Sequence, residues 1–180
     1  MDLAIMNEII DTHEKYSQLK KQHFFENTLF SFQWWILVTI TVVLWMIWAV
    51  MVDKKRLNII LLVGLITSLL ALIMDDIGIS LNLWTYPSQL TYFVSRLYPV
   101  DVAIIPVFYM LLYQYFRAWK SYLVVLTLLS LFAIFVSEPI FSELDIYTLL
   151  RWKYWYSFPI YILMGIFVKG LVDKIERKCT

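Results

Sequence analysis

Residues 33–52 contain no charged side chain, and nor do 57–74, 121–137 or 154–168. Uncharged apolar runs of this length match the hydrocarbon thickness of a bilayer, about 20 residues per helical crossing. A backbone in hydrocarbon must satisfy its own hydrogen bonds, which restricts spanning segments to helices or closed barrels. No run alternates polar and apolar residues as a barrel strand does. The expected fold class is therefore all-α: a polytopic membrane protein with five transmembrane helices preceded by an amphipathic N-terminal helix.

The spans read as Gln33–Val52, Leu57–Met74, Val100–Phe116, Ser121–Ser137, and a fifth that follows the belt Arg151–Tyr156 and ends near Lys169. Trp34, Trp35, Trp45 and Trp48 mark the two ends of the first span, as interfacial aromatics do. Asp53, Lys54, Lys55 and Arg56 end it sharply. Pro106 inside the third span removes a backbone donor and predicts a kink. Residues 78–96 carry Asn82, Pro87, Ser88 and Gln89 and read as a re-entrant or surface loop. Ser142 and Asp145 are placed to cap a short helix through Leu150. With four glycines in the chain, close helix packing through glycine is expected to be limited.

In residues 1–30, Met6, Ile9, Ile10, Tyr16 and Leu19 recur at helical steps between charged residues. An interfacial helix needs only that pattern. A partner-binding helix is the sharper alternative. This segment does not read as a signal peptide, so the first apolar run is expected to remain as a span. The division is then 1–30 outer-face helix, 31–172 bundle, and 173–180 cytoplasmic tail.

Charge sets the orientation. Five spans place Asp53–Arg56, Arg117–Lys120 and the C-terminal tail on one side. That side holds nine of the 15 basic residues and three of the 14 acidic ones. Basic residues in short loops are retained in the cytoplasm. The chain should lie in the cell membrane with its N-terminus outside and its C-terminus inside.

Several chemistries lack their residues. There is no basic stripe for nucleic acid, no glycine-rich phosphate loop, and no His-Glu-x-x-His. His13 and His23 both lie in the N-terminal segment, and Cys179 is the single cysteine, so neither a zinc site nor a disulfide framework is expected. No cofactor is expected, and no residue is assigned a catalytic role.

What remains is an acidic and aromatic constellation at the outer boundary: Asp75, Asp76, Trp84, Tyr86, Arg96, Asp101 and Glu138. Charge near a span is costly and usually paired or functional. Asp101 after Pro99 suits the positive end of a helix dipole, whereas Asp76 at a helix C-terminus opposes it. Two acids at such a place call for a cation, an arginine or a proton. The candidate site uses Asp76, Asp101 and Glu138 as charge-bearing groups, Arg96 as counter-ion, and Trp84 and Tyr86 as its wall. The leading expectation is binding, sensing or moving a small cation or a lipid headgroup, with the bilayer as the other partner. The alternatives are an acid–base enzyme on a membrane-dissolved lipid or isoprenoid, and a scaffold acting through residues 1–30 and a protein partner that the sequence does not name.

A string of motifs carries a resemblance. These are Leu83-Trp84-Thr85-Tyr86-Pro87, Tyr98-Pro99-Val100-Asp101 with Ile105-Pro106, Tyr113-Gln114-Tyr115-Phe116 with Trp119-Lys120, Glu138-Pro139-Ile140-Phe141, and the stretch from Trp152 to Tyr161. Over about residues 57–169 the chain resembles a family of small multi-pass membrane proteins from Bacillus-type and Clostridium-type bacteria. That resemblance implies a bacterial cell-membrane protein and no particular activity. The acid, tryptophan and aromatic on one loop, followed by Pro99-x-Asp101, also resemble membrane carotenoid cyclases of the lycopene type. Those carry glutamate in that pair, and the sequence downstream does not continue the match. The likeness implies an acid–base enzyme.

Overall fold

The computed structural model describes residues 3–179; Met1, Asp2 and Thr180, the extreme ends of the predicted N-terminal helix and tail, lie outside the described residues. The chain is all-α apart from one two-stranded ladder. Helix α1 spans Leu3–His23 and is followed by a π turn, Phe24–Thr28. Helix α2 spans Phe32–Met51 and α3 spans Leu57–Ser80, with a short 3-10 turn at Lys54–Arg56 between them. Strand β1 is Trp84–Thr85. A π turn, Val100–Ile104, leads into α4, Ile105–Tyr115. Helix α5, Trp119–Phe132, passes through a third π turn, Ala133–Ser137, into α6, Glu138–Glu143. Strand β2 is Thr148–Leu149 and α7 is Tyr154–Cys179.

Among the described residues, three helical stretches are long and apolar enough to cross a membrane: Phe32–Met51, Lys54–Ser80 and Trp119–Glu143. Val100–Tyr115 is apolar but shorter. Helix α3 lies at the centre, packed most extensively on α4 and also on α7, while α5 packs on α7 and α4. The core between them contains Ile60, Val63, Val107, Met110, Leu126 and Val168. Gly64 permits the close approach of α3 and α4, because a Cβ there would lie 2.5 Å from Met110 Sδ. Glycine therefore mediates close packing in this bundle despite its scarcity.

Proline explains both interior π turns. A proline inside a helix clashes with the carbonyl four residues back and has no N–H to donate. Pro106 and Pro139 each sit in the first turn of the helix that follows a π turn. The wider π turn relieves the clash and keeps the helix continuous. The expected kink at Pro106 is thus a π turn at residues 100–104, and the fourth helical stretch runs through Glu138 to Glu143 instead of stopping at Ser137.

Two other boundaries differ from the sequence reading. Helix α3 continues past Met74 to Ser80, and Asn82, at φ 53°, closes it by a left-handed turn in which Leu83 N donates to Gly78 O at 2.9 Å. The short helix expected from Ser142 through Leu150 does not form: α6 ends at Glu143, and the chain returns as β2 through Asp145, at φ 54°. Trp84 pairs with Leu149 and Thr85 with Thr148 in antiparallel register. This ladder ties the α3–α4 connection to the α6–α7 connection at one end of the bundle. Leu37, Leu97 and Ile146 form a small apolar core beneath it.

The opposite end has its own fastening. Arg56 pairs with Glu176 at 3.1 Å, and Tyr113 Oη donates towards Asp173 at 2.9 Å and Glu176 at 3.0 Å. Gln114 Nε2 donates to Met51 O at 2.8 Å, and its Oε1 accepts from Asp53 N at 2.9 Å. The C-terminal ends of α2, α4 and α7 thereby meet the start of α3. Helix α1 stands off the bundle with no buried residue, held through Lys20 Nζ, which donates to Val94 O at 2.6 Å and to Ser95 Oγ at 2.9 Å.

Candidate functional site

Asp75 and Asp76 are adjacent on α3 and so about 100° apart around its axis. Asp75 turns inward and is 5% exposed. Asp76 turns outward, where Arg96 grips both its carboxylate oxygens through Nε and Nη2. That pair is only partly covered, so it fastens the 81–99 connection to α3 without forming a buried charge. Arg96 is thus the counter-ion of Asp76, but the pair lies outside the interior, and the acid that faces inward is Asp75. The hydrogen bonding it donates to Asp76 raises the Arg96 guanidinium above its ordinary value.

Asp75 faces a cavity of about 480 Å³ enclosed by α2, α3, α4, α5, α7 and the two connections. The volume falls within the range of small-molecule sites. Its lining is largely apolar and aromatic. Into it project three carboxyl groups, those of Asp75, Asp101 and Glu138, and no lysine, arginine or histidine. Trp84 and Tyr86 also line it, so five of the seven sequence-predicted site residues meet at one cavity.

Each acid has a different environment. Asp75 Oδ1 accepts from Trp84 Nε1 at 2.7 Å and from Tyr86 Oη at 2.6 Å, and Oδ2 accepts from Leu97 N at 3.3 Å. Burial, then the Asp75 charge, holds the Tyr86 hydroxyl well above the ordinary tyrosine range, so it remains a donor. Asp101 comes from the π turn before α4 and is 4% exposed. Its carboxyl group neighbours that of Asp75, and its Oδ2 is buried with no hydrogen-bond partner.

Glu138 occupies a separate wall, immediately after the π turn Ala133–Ser137. Its Oε1 accepts from Tyr161 Oη at 2.8 Å and its Oε2 from Ser157 Oγ at 3.3 Å. Trp152 Nε1 in turn donates to Ser157 Oγ at 3.1 Å. Both interior acids outside α3 are therefore delivered by π turns, which recur at functional sites because they redirect side chains within a continuous helix. Among the described residues, no three or more His, Cys, Asp or Glu side chains are placed to hold a metal ion together.

The lining residues absent from the sequence-level site include Tyr147, Trp152, Ser157 and Tyr161. Ser157 and Tyr161 are four apart on α7 and so share a face, a polar pair in an apolar segment that the sequence does display. Tyr147 lies in the α6–α7 connection and stacks on Tyr86 with ring centroids 5.7 Å apart. No local signal marks it.

Fold and site together define a class: a helical protein with membrane-length apolar helices around an acid-bearing, aromatic-lined interior cavity. Comparison with protein-family profiles, with curated proteins and with solved structures finds no match.

Proposed function

We propose that this chain is a five-span membrane protein that binds an organic cation, an amine or quaternary ammonium group on an apolar body, in the cavity beside Asp75 and Asp101. The observation that carries the proposal is an apolar cavity lined by three carboxyl groups and no basic side chain, with Oδ2 of one of them, Asp101, buried and without a hydrogen-bond partner. A buried acceptor without a partner is costly. An acidic group in a low-dielectric interior is relieved by a cation. Trp84, Tyr86 and Tyr147 supply the aromatic faces that attract ammonium groups. A hard metal ion requires six or more oxygen ligands, and the acids are not arranged to provide them. The expected orientation, with the Arg56–Glu176 end inside, follows from the basic residues gathered there.

The test is titration of the purified protein in lipid nanodiscs with benzyltrimethylammonium, followed by calorimetry. Saturable binding weakened at least tenfold by Asp101→Asn is expected. Equal affinity for the uncharged carbon isostere sinks the proposal.

A second reading has its own support. Two neighbouring carboxyl groups, those of Asp75 and Asp101, face an apolar space, and a carboxylic acid so placed can act as general acid on a membrane-dissolved substrate. Chemical conversion of extracted lipids or isoprenoids by the purified protein, lost in Asp101→Asn, would select this reading. Recovery of every compound unchanged rejects it.

A further inference from the structure

The cavity is closed towards both ends of the bundle and open at its side. At one end the β1–β2 ladder and the Trp84–Trp152 contact, 5.3 Å between centroids, cover it. At the other, the Arg56, Tyr113 and Glu176 network fastens the helices. The lateral wall is different. Val43 of α2, Phe108 of α4 and Phe132 of α5 line the cavity, yet they are 39%, 39% and 54% exposed. Helix α2 packs on α4 and the π turn before it, and α5 packs on α4 and α7, but α2 and α5 make no comparable contact with each other. Phe108 forms the floor of the gap between them.

The depth of this gap identifies what passes through it. Val43 lies near the middle of Phe32–Met51, Phe108 near the middle of Val100–Tyr115, and Phe132 near the middle of Trp119–Glu143. At 1.5 Å per residue, Val43 is about 17 Å from the start of α2 and Phe132 about 20 Å from the start of α5. Three exposed apolar residues at half the depth of a bilayer open onto hydrocarbon, not water.

Resting on the binding site proposed above, we infer that its ligand is a long-chain amine or ammonium lipid that enters from the bilayer between α2 and α5. The head reaches Asp101 and Asp75, and the alkyl or prenyl chain stays in the gap against Phe108 and Phe132. Such a ligand supplies a cation to the carboxyl groups of Asp101 and Asp75 and covers the open side with one molecule. A water-borne cation does only the first.

The experiment compares two probes in nanodiscs: benzyltrimethylammonium, which has no chain, and hexadecyltrimethylammonium. Two variants narrow the gap from opposite sides, Phe132→Trp and Val43→Phe. Each should weaken hexadecyltrimethylammonium at least tenfold more than it weakens benzyltrimethylammonium, with a thermal unfolding transition showing that the variant is folded. If both probes change equally, or neither changes, the lateral entry is wrong. If benzyltrimethylammonium binds wild type and hexadecyltrimethylammonium does not displace it, the entry falls while the site stands. If neither probe binds wild type, the site reading falls and the entry with it.

Discussion

The indole N–H of Trp84 donates to Asp75 Oδ1 at 2.7 Å across a helix end that reverses within nine residues. Gly78, one turn beyond Asp75 on the same face, makes this possible. A Cβ at that position would lie 1.9 Å from Trp84 Cζ2. Asn82 completes the reversal at φ 53°.

Gly78→Ala should therefore expel the Trp84 ring from α3. Overpacking of this kind costs about 1–3 kcal/mol, and Asp75 loses a donor besides. The expected result is a lower unfolding temperature together with at least tenfold weaker benzyltrimethylammonium binding. An unaltered variant would refute the packing.

Asp75 and Asp101 should separate on substitution. Asp75 accepts from Trp84, Tyr86 and the Leu97 amide, so Asp75→Asn turns an amide donor towards donors and should cost about 2 kcal/mol of stability. Asp101 Oδ2 has no partner to lose, so Asp101→Asn should keep the unfolding temperature and lose the ligand. Thermal unfolding and calorimetry on the two variants read this contrast directly. The reverse pattern would exchange their roles.

Lys20 gives α1 a pH dependence. Burial pushes its amine down to about 8 from an ordinary value of 10.5. Below pH 8 the amine is charged whether or not α1 is docked, and the docked state bears the full desolvation cost. Between about 8 and 10.5 the undocked chain binds more protons, so docking strengthens as pH rises. Protection of the 86–95 connection against hydrogen exchange, relative to the intrinsic rate at each pH, should rise over that window, and Lys20→Met should abolish the slope. A slope that survives the substitution belongs to another group.

Lys169 holds the other end of the bundle. It is 2% exposed, with its Nζ 4.8 Å from the Tyr113 ring centroid, 5.2 Å from that of Trp119, 5.1 Å from that of Tyr122, and 3.5 Å from Asp173 Oδ2. Lys169→Met removes the cation from the three rings and from Asp173, which should cost about 2–4 kcal/mol. Ligand affinity should stay within twofold, because this cluster is remote from the cavity. A large loss of affinity at unchanged stability would tie Lys169 to the site instead.

The sequence by itself determined which segments leave water. Apolar runs such as 33–52 and 57–74 are long enough to decide this locally, since transfer of each residue adds independently. It also marked the acids and aromatics at one end, and the proline positions where helices deviate. It did not decide which of Asp75 and Asp76 faces inward. That depends on the rotational phase of α3, which packing against α4 and α7 sets, and on the extension of the helix to Ser80. Nor did it place Glu138 within a continuous helix, because the π turn before Pro139 forms only where neighbouring helices hold the chain straight. The pairing of β1 with β2 joins residues more than sixty apart, and the stacking of Tyr147 on Tyr86 depends on it. The cavity belongs wholly to the tertiary structure: it is the space that α2 and α5 leave when both pack on α4 and not on each other.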